Sequence, residues 1–264
     1  LTRSSAASDV YKRQTMEFSS EAAIVEEFHK FLMNGDLYMG SKPVMWSVVE
    51  KTALAEAEVE YLEHASPTIW VSFPILNGDK ELSDASILIW TTTPWTIPAN
   101  RAIAFSSQFE YGLFEVSSIE EGSIASVGKK IIINTAMQDN VEKAAKIKLN
   151  LLKPLKSLEG LICSHPFKES GYNFDVPLLE GDFLTEDAGT GFVHIAPSHG
   201  QDDYELAIKN GIKPPFILDD EGYYLDDVEI FAGKKVYNDD GSLGDATGAV
   251  ISELICLLYT SPSP

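Results

Sequence analysis

Cysteine is nearly absent from this chain of 264 residues, with only Cys163 and Cys256 present. Two thiols so far apart exclude a disulfide framework and a thiol-built zinc site, and they suit a reducing compartment. Basic residues are scarce as well: 20 Lys and Arg stand against 40 Asp and Glu, a formal charge of −20. Affinity for nucleic acid comes largely from cations that neutralise phosphates, so this chain alone is a poor general binder of RNA or DNA. No apolar run approaches the roughly 20 residues that cross a bilayer, and the start lacks a charged-then-apolar secretory pattern. No membrane association is expected. Internal repeats and low-complexity linkers are absent too.

What is present is a chain of globular composition, 44% apolar and 10% aromatic. A chain of this length buries roughly 70–75% of its unfolded surface. Ser19 or Ser20 is positioned to cap a helix in which Ile24, Phe28, Phe31 and Leu32 recur at helical spacing, with Gly35 as its stop. From residue 66 the texture changes to short β-branched and aromatic runs: 69–73, 87–90, 101–105, 111–116, 130–133 and 192–196. These read as strands. Helical patterns span about Met137 to Leu149 and Asp202 to Asn210, the second ended by Gly211. Strands without regular βαβ alternation predict an α+β fold around a closed or nearly closed barrel.

Two polar clusters interrupt this apolar texture. Residues 90–101 read WTTTPWTIPANR, a run of hydroxyls leaving an apolar strand and meeting two prolines and an indole. That composition suits a pocket wall. About a hundred residues later stands GTGFVHIAPSHGQDDY, residues 189–204. Strand periodicity places Thr91 and Thr93 on one side and Thr92 on the other, and sets Phe192, His194 and Ala196 on one face. Taken alone, the threonines are good strand formers, His194 a satisfied core group, and Asp202 and Asp203 caps of the following helix. His194, His199, Asp202 and Asp203 match no zinc spacing, so no metal is expected. Ser198 lacks a nucleophile-elbow glycine pattern. The acidic stretch Leu218 to Asp227 lacks calcium-loop order and reads as a solvated turn.

Together the clusters resemble the editing domain of the isoleucyl-tRNA synthetase family. Thr93-Pro94-Trp95 follows the isoleucyl pattern, whereas valyl and leucyl relatives carry Arg-Pro and an acidic residue after their two threonines. Further matches are SKPVMWS (41–47), EKTALAEAEVEY (50–61) and IFAGK (230–234), so the resemblance covers roughly residues 15 to 255. Some relatives carry a Cys-x-x-Cys pair where this chain has Ser47 and Glu50. The His-Ile-Gly-His-type and Lys-Met-Ser-Lys-Ser-type signatures of the charging domain do not occur. ATP and magnesium are therefore expected only for that domain, and no cofactor is expected here.

The resemblance implies an α+β, β-barrel-like editing domain with peripheral helices over residues 51–250. Residues 15–50 would be the edge of the catalytic domain and a hinge. Residues 1–14 and 256–264 match nothing in the pattern and are read as non-native tails. An isoleucine pocket excludes valine poorly, because one missing methylene is worth only ~1–3 kcal/mol, a magnitude known from this same enzyme family. A second, smaller pocket must then hydrolyse the wrong ester.

In that pocket Asp203 is expected to bind the α-ammonium of the amino acid, stabilised by amides at a helix start, with Asp202 as the cap. His194 would limit side-chain size or act as a base, a choice the residues leave open. Thr93 and Trp95 would define the pocket, with Thr91, Thr92, Thr96 and Asn100 as further polar contacts, Asn100 toward adenosine or ribose. The expected partners are the 3′ end of isoleucine tRNA carrying valine and the remainder of the synthetase, which would supply the grip on tRNA that the acidic charge denies. A monomer in the cytoplasm or an organellar matrix is the expected setting. A free-standing aminoacyl-tRNA deacylase and a catalytically silent binding domain are the alternatives.

Overall fold

A computed structural model of the chain describes residues 17–61, 63, 65–186 and 189–256, with the backbone of 260–262. The expected tail 1–14 lies outside the described residues, as do 257–259 and 263–264 of the expected tail 256–264. Two compact units make up the chain, Leu1–Ser41 and Lys42–Pro264. The first holds helix α1, Phe18–Asn34, closed by Gly35 in the left-handed region at φ 80°, as its composition led one to expect. Its N-cap is Glu17 without a side-chain bond, so Ser19 and Ser20 lie inside the helix rather than capping it.

In the second unit the elements in order are β1 Trp46–Ser47, β2 Thr52–Ala53, β3 Ile69–Pro74, β4 Ala85–Thr91, β5 Ala102–Phe105, β6 Tyr111–Ile119 and β7 Lys130–Asn134. There follow α2 Gln138–Ala145, β8 Ile147–Leu155, β9 Ile162–Ser164, β10 Asp175–Glu180, β11 Val193–Ile195, α3 Gln201–Lys209, α4 Asp245–Cys256 and β12 Thr260–Pro262. β1 and β2 form a small ribbon. A six-stranded sheet runs β12-β3-β4-β7-β6-β8, and a four-stranded one runs β11-β5-β10-β9. The pairs β4–β7 and β5–β10 are parallel and the remainder antiparallel, which makes both sheets mixed.

The α+β class holds, but the sheets do not close into a barrel. β8 carries Lys148, Asn150, Lys153 and Pro154 and is largely exposed, a composition that blunts an edge rather than inviting a further strand. One face of the larger sheet, with Ile69, Val71, Phe73, Ile87 and Ile89, packs on Ile103, Val176 and Leu178 of the smaller one. The opposite face, with Trp70, Leu88, Phe114 and Ile133, is covered by Val141 and Ala145 of α2. Being buried on both faces, β3 and β4 read as continuous apolar runs rather than alternating ones. The helical pattern expected to reach Leu149 stops at Ala145, because Lys146 turns left-handed at φ 53°. Beyond it Ile147 and Leu149 are buried while Lys148 is exposed, the period of a strand.

Candidate functional site

β4 delivers its last residue, Thr91, into the buried interior, and the chain then turns at Thr93 into a 3-10 turn, Pro94–Ala99. Proline suits this first position, since its ring fixes φ and its missing N–H would lack a partner there anyway. The turn brings three hydroxyls together. Thr91 Oγ1 accepts the Thr93 N–H at 3.1 Å and lies 3.2 Å from Thr93 Oγ1. Thr96 Oγ1 donates to the Thr93 carbonyl at 2.8 Å and lies 3.4 Å from Thr93 Oγ1.

β11 completes the group. It pairs antiparallel with β5, His194 opposite Ile103, and sets His194 Nε2 at 3.1 Å from Thr96 Oγ1 and 3.4 Å from Thr91 Oγ1. The loop entering β11 needs its glycines: Gly191 sits at φ 81°, and a Cβ there would lie 2.4 Å from Asn134 Cβ. Burial lowers the His194 pKa to about 4, helped by neighbouring His199, which burial also lowers to about 4. Both imidazoles are therefore neutral near pH 7. Trp95 is half-buried, and its ring meets His199 edge-on at 4.9 Å between centroids. Trp95 Nε1, His194 Nδ1 and His199 Nε2 are buried without hydrogen-bond partners. Buried polar atoms left unpaired are natural contacts for a polar ligand.

Asp203 joins from the first turn of α3, where its Oδ1 accepts the Ala196 N–H at 2.7 Å, two residues beyond His194. The cap of α3 is Gly200, and no side chain caps it, so Asp202 is exposed and is not the cap expected of it. The direction expected for Asp203 also reverses. Burial raises its pKa, against the pull of the Ala196 amide, so desolvation outweighs the helix-start amides.

The structure thus gathers Thr91, Thr93, Thr96 and His194 into one hydroxyl–imidazole network, with Trp95 beside it through His199, and Asp203 tied to the same β11 segment. Two expected contacts fall elsewhere. Thr92 is exposed on the other side of the strand. Asn100 is fully buried; its Nδ2 donates to the Ala102 carbonyl at 2.8 Å, which braces the turn into β5, while its Oδ1 has no hydrogen-bond partner. Ser198 Oγ donates to the Pro215 carbonyl. Among the described residues no group of three or more His, Cys, Asp or Glu could hold a metal ion. The acidic stretch is a turn ordered by Asp219, whose Oδ1 accepts the N–H groups of Glu221 and Tyr223. Sequence reasoning missed Gly200 and His199 as neighbours of the acid and the indole, although both stand inside the second motif.

A profile described as "tRNA synthetases class I (I, L, M and V)" matches residues 9–231, and the chain belongs to that family. Within it, the chain is 49% identical to isoleucine–tRNA ligase of Caulobacter vibrioides over 252 residues, 91% of this chain and 26% of the relative. It is 48% identical to that of Agrobacterium fabrum over 258 residues, 91% and 27% of the two chains. It therefore spans about a quarter of the length of the curated relatives it matches. Among solved structures, GlLeuRS-CP1 shares the fold, with a TM-score of 0.53 and 14% identity over 75% of this chain and 99% of that one. No helix among the described residues is long and apolar enough to cross a membrane.

Proposed function

We propose that this chain carries the proofreading site of an isoleucine-charging synthetase and hydrolyses the ester of valine mistakenly attached to isoleucine tRNA. The observation that carries the reading is the hydroxyl–imidazole network of Thr91, Thr93, Thr96 and His194, tied through Ala196 to the Asp203 carboxylate. Asp203 would take the α-ammonium, the charge that marks an aminoacyl ester. Water attacks the ester carbonyl, the acyl–oxygen bond breaks, and the tRNA 3′-terminal hydroxyl and valine leave. Lowered to about 4, the His194 ring is a weak base, which favours a role in orienting water and limiting side-chain size. Trp95 closes the side of the pocket. No cofactor takes part in the proposed step.

The net charge of −20 supports a division of labour in which the rest of the synthetase grips the tRNA and this region receives its 3′ end. A monomer in the cytoplasm or an organellar matrix belongs to the same proposal. The test is hydrolysis of valyl- and isoleucyl-tRNA of the isoleucine acceptor. Selective release of valine supports the reading, and equal release or none by the folded chain overturns it.

A further inference from the structure

The turn Pro94–Ala99 carries Trp95 and Thr96, yet it has few means of holding itself. Pro94 and Pro98 have no N–H to give, and the bonds at its two ends are Thr96 N–H to the Thr93 carbonyl and Asn100 N–H to the Ile97 carbonyl, both 3.0 Å. Four backbone carbonyls in and just after the turn, that of Ile97 among them, also accept from side chains. The Tyr224 hydroxyl donates to Trp95 O, and His165 Nε2 donates to Ile97 O at 3.0 Å. Arg101 Nη1 donates to Pro98 O at 3.3 Å and to Asn100 O at 2.6 Å.

His165 is the member most fully committed to this task. It is 0% exposed, and its Nδ1 accepts the Phe167 N–H at 3.1 Å. That bond requires the ring proton to sit on Nε2, the nitrogen facing Ile97. Tyr172 stacks on the ring at 5.0 Å and 15°, and Phe174 lies 5.2 Å away, itself covered by the Arg101 guanidinium at 4.3 Å. Packing in this aromatic cage would be served by an apolar ring. The imidazole adds a donor and an acceptor aimed at two backbone groups, and burial, which lowers its pKa to about 3, keeps that neutral tautomer in place.

We propose that His165, Tyr224 and Arg101 form a clamp on the carbonyl side of this turn that sets where Trp95 and Thr96 stand, which makes them positioning residues of the hydrolytic site. The proposal rests on the deacylase reading above for its functional half and on backbone geometry for its structural half.

The test combines amide hydrogen exchange of residues 95–101 with valyl-tRNA hydrolysis, on the whole chain and on Tyr224→Phe, His165→Leu and His165→Gln. Tyr224→Phe removes one hydroxyl and nothing else. His165→Leu keeps bulk without a donor, and His165→Gln returns the donor. Expected is exchange of 95–101 faster by about tenfold in the first two variants, with β3 and β4 still protected. Their kcat falls about 10- to 100-fold with KM within about threefold, the pattern of a misplaced group rather than of lost binding. His165→Gln recovers most of both. Unchanged exchange in 95–101, or loosened exchange with an unchanged kcat per folded molecule, overturns the clamp. If the unaltered chain releases no valine, the deacylase reading fails separately, and the exchange experiment still decides the clamp: local loosening upholds it and none refutes it.

Discussion

Gly200→Ala is the substitution whose two effects separate most cleanly. Gly200 lies in extended backbone at φ −145° and ψ 144°, so alanine meets no conformational penalty there. The demand is for space: a Cβ at this position would lie 2.3 Å from Asp203 Oδ2 and 2.9 Å from Asp203 Cγ. The carboxylate must rotate away and give up its 2.7 Å bond from the Ala196 amide. A hydrogen bond to a charged group is worth about 1.5–3 kcal/mol. Loss of unfolded-state entropy on replacing glycine returns about 0.4–1 kcal/mol. The net destabilisation is about 1–2 kcal/mol, or a few degrees in Tm for a domain of this size. Function is affected far more, because misplacement of a catalytic contact by about 1 Å costs about 100-fold. Thermal unfolding and valyl-tRNA hydrolysis measured on the same preparation read both quantities. A Gly200→Ala protein that keeps its rate within about twofold would refute the close approach as the determinant of Asp203's position.

Other expectations follow from the same geometry. Thr96→Val keeps the shape of a 4% exposed side chain and deletes its bonds to the Thr93 carbonyl and His194 Nε2. It is expected to cost about 1–3 kcal/mol of stability and most of the hydrolytic rate, and unchanged unfolding in denaturant would contradict it. Stability is expected to fall as pH drops below about 6.5, because burial lowers His165 to about 3 and His194 and His199 to about 4, so the unfolded chain binds protons there that the folded chain does not. Raised Asp203 works in the opposite sense but is one group against three. A denaturant midpoint that is flat or rises from pH 6.5 to 5 would count against these burials. Buried Cys163, pushed up to about 12, is expected to resist a thiol reagent in the folded chain, while exposed Cys256 reacts at once. Rapid labelling of both would mean that the core around β9 opens.

Much of this arrangement was legible in local sequence. β3, β4, β5, β6 and β7 follow β-branched and aromatic runs; Thr91 and Thr93 do come together, but through the turn that follows β4 rather than through a strand period. Gly35 stopped α1 as its conformational freedom allows. Legibility failed where distant residues decide. β8 hid behind a helical pattern because its outer positions are polar, and only pairing with β6 makes it a strand. Barrel closure depended on edges that composition describes only afterwards. The start of α3 was expected to favour the charge on Asp203, but burial in the tertiary structure raises its pKa despite the backbone amides that pull it down. Only the Arg101 arm of the clamp is local; Tyr224 reaches Trp95 across 129 positions and His165 reaches Ile97 across 68, and these had no local signal.

The central claim, that Asp203 holds the ammonium of a valyl ester while the threonine–histidine network serves its hydrolysis, is tested most directly by removing each half of that ion pair. Valyl-tRNA and N-acetylvalyl-tRNA of the isoleucine acceptor are offered to the chain and to Asp203→Ala. The expected result is fast release of valine by the unaltered chain only, with acetylation and the substitution each costing about 100-fold and no further loss when they are combined. Equal hydrolysis of the two esters by the unaltered chain, or full activity in Asp203→Ala, would contradict the account.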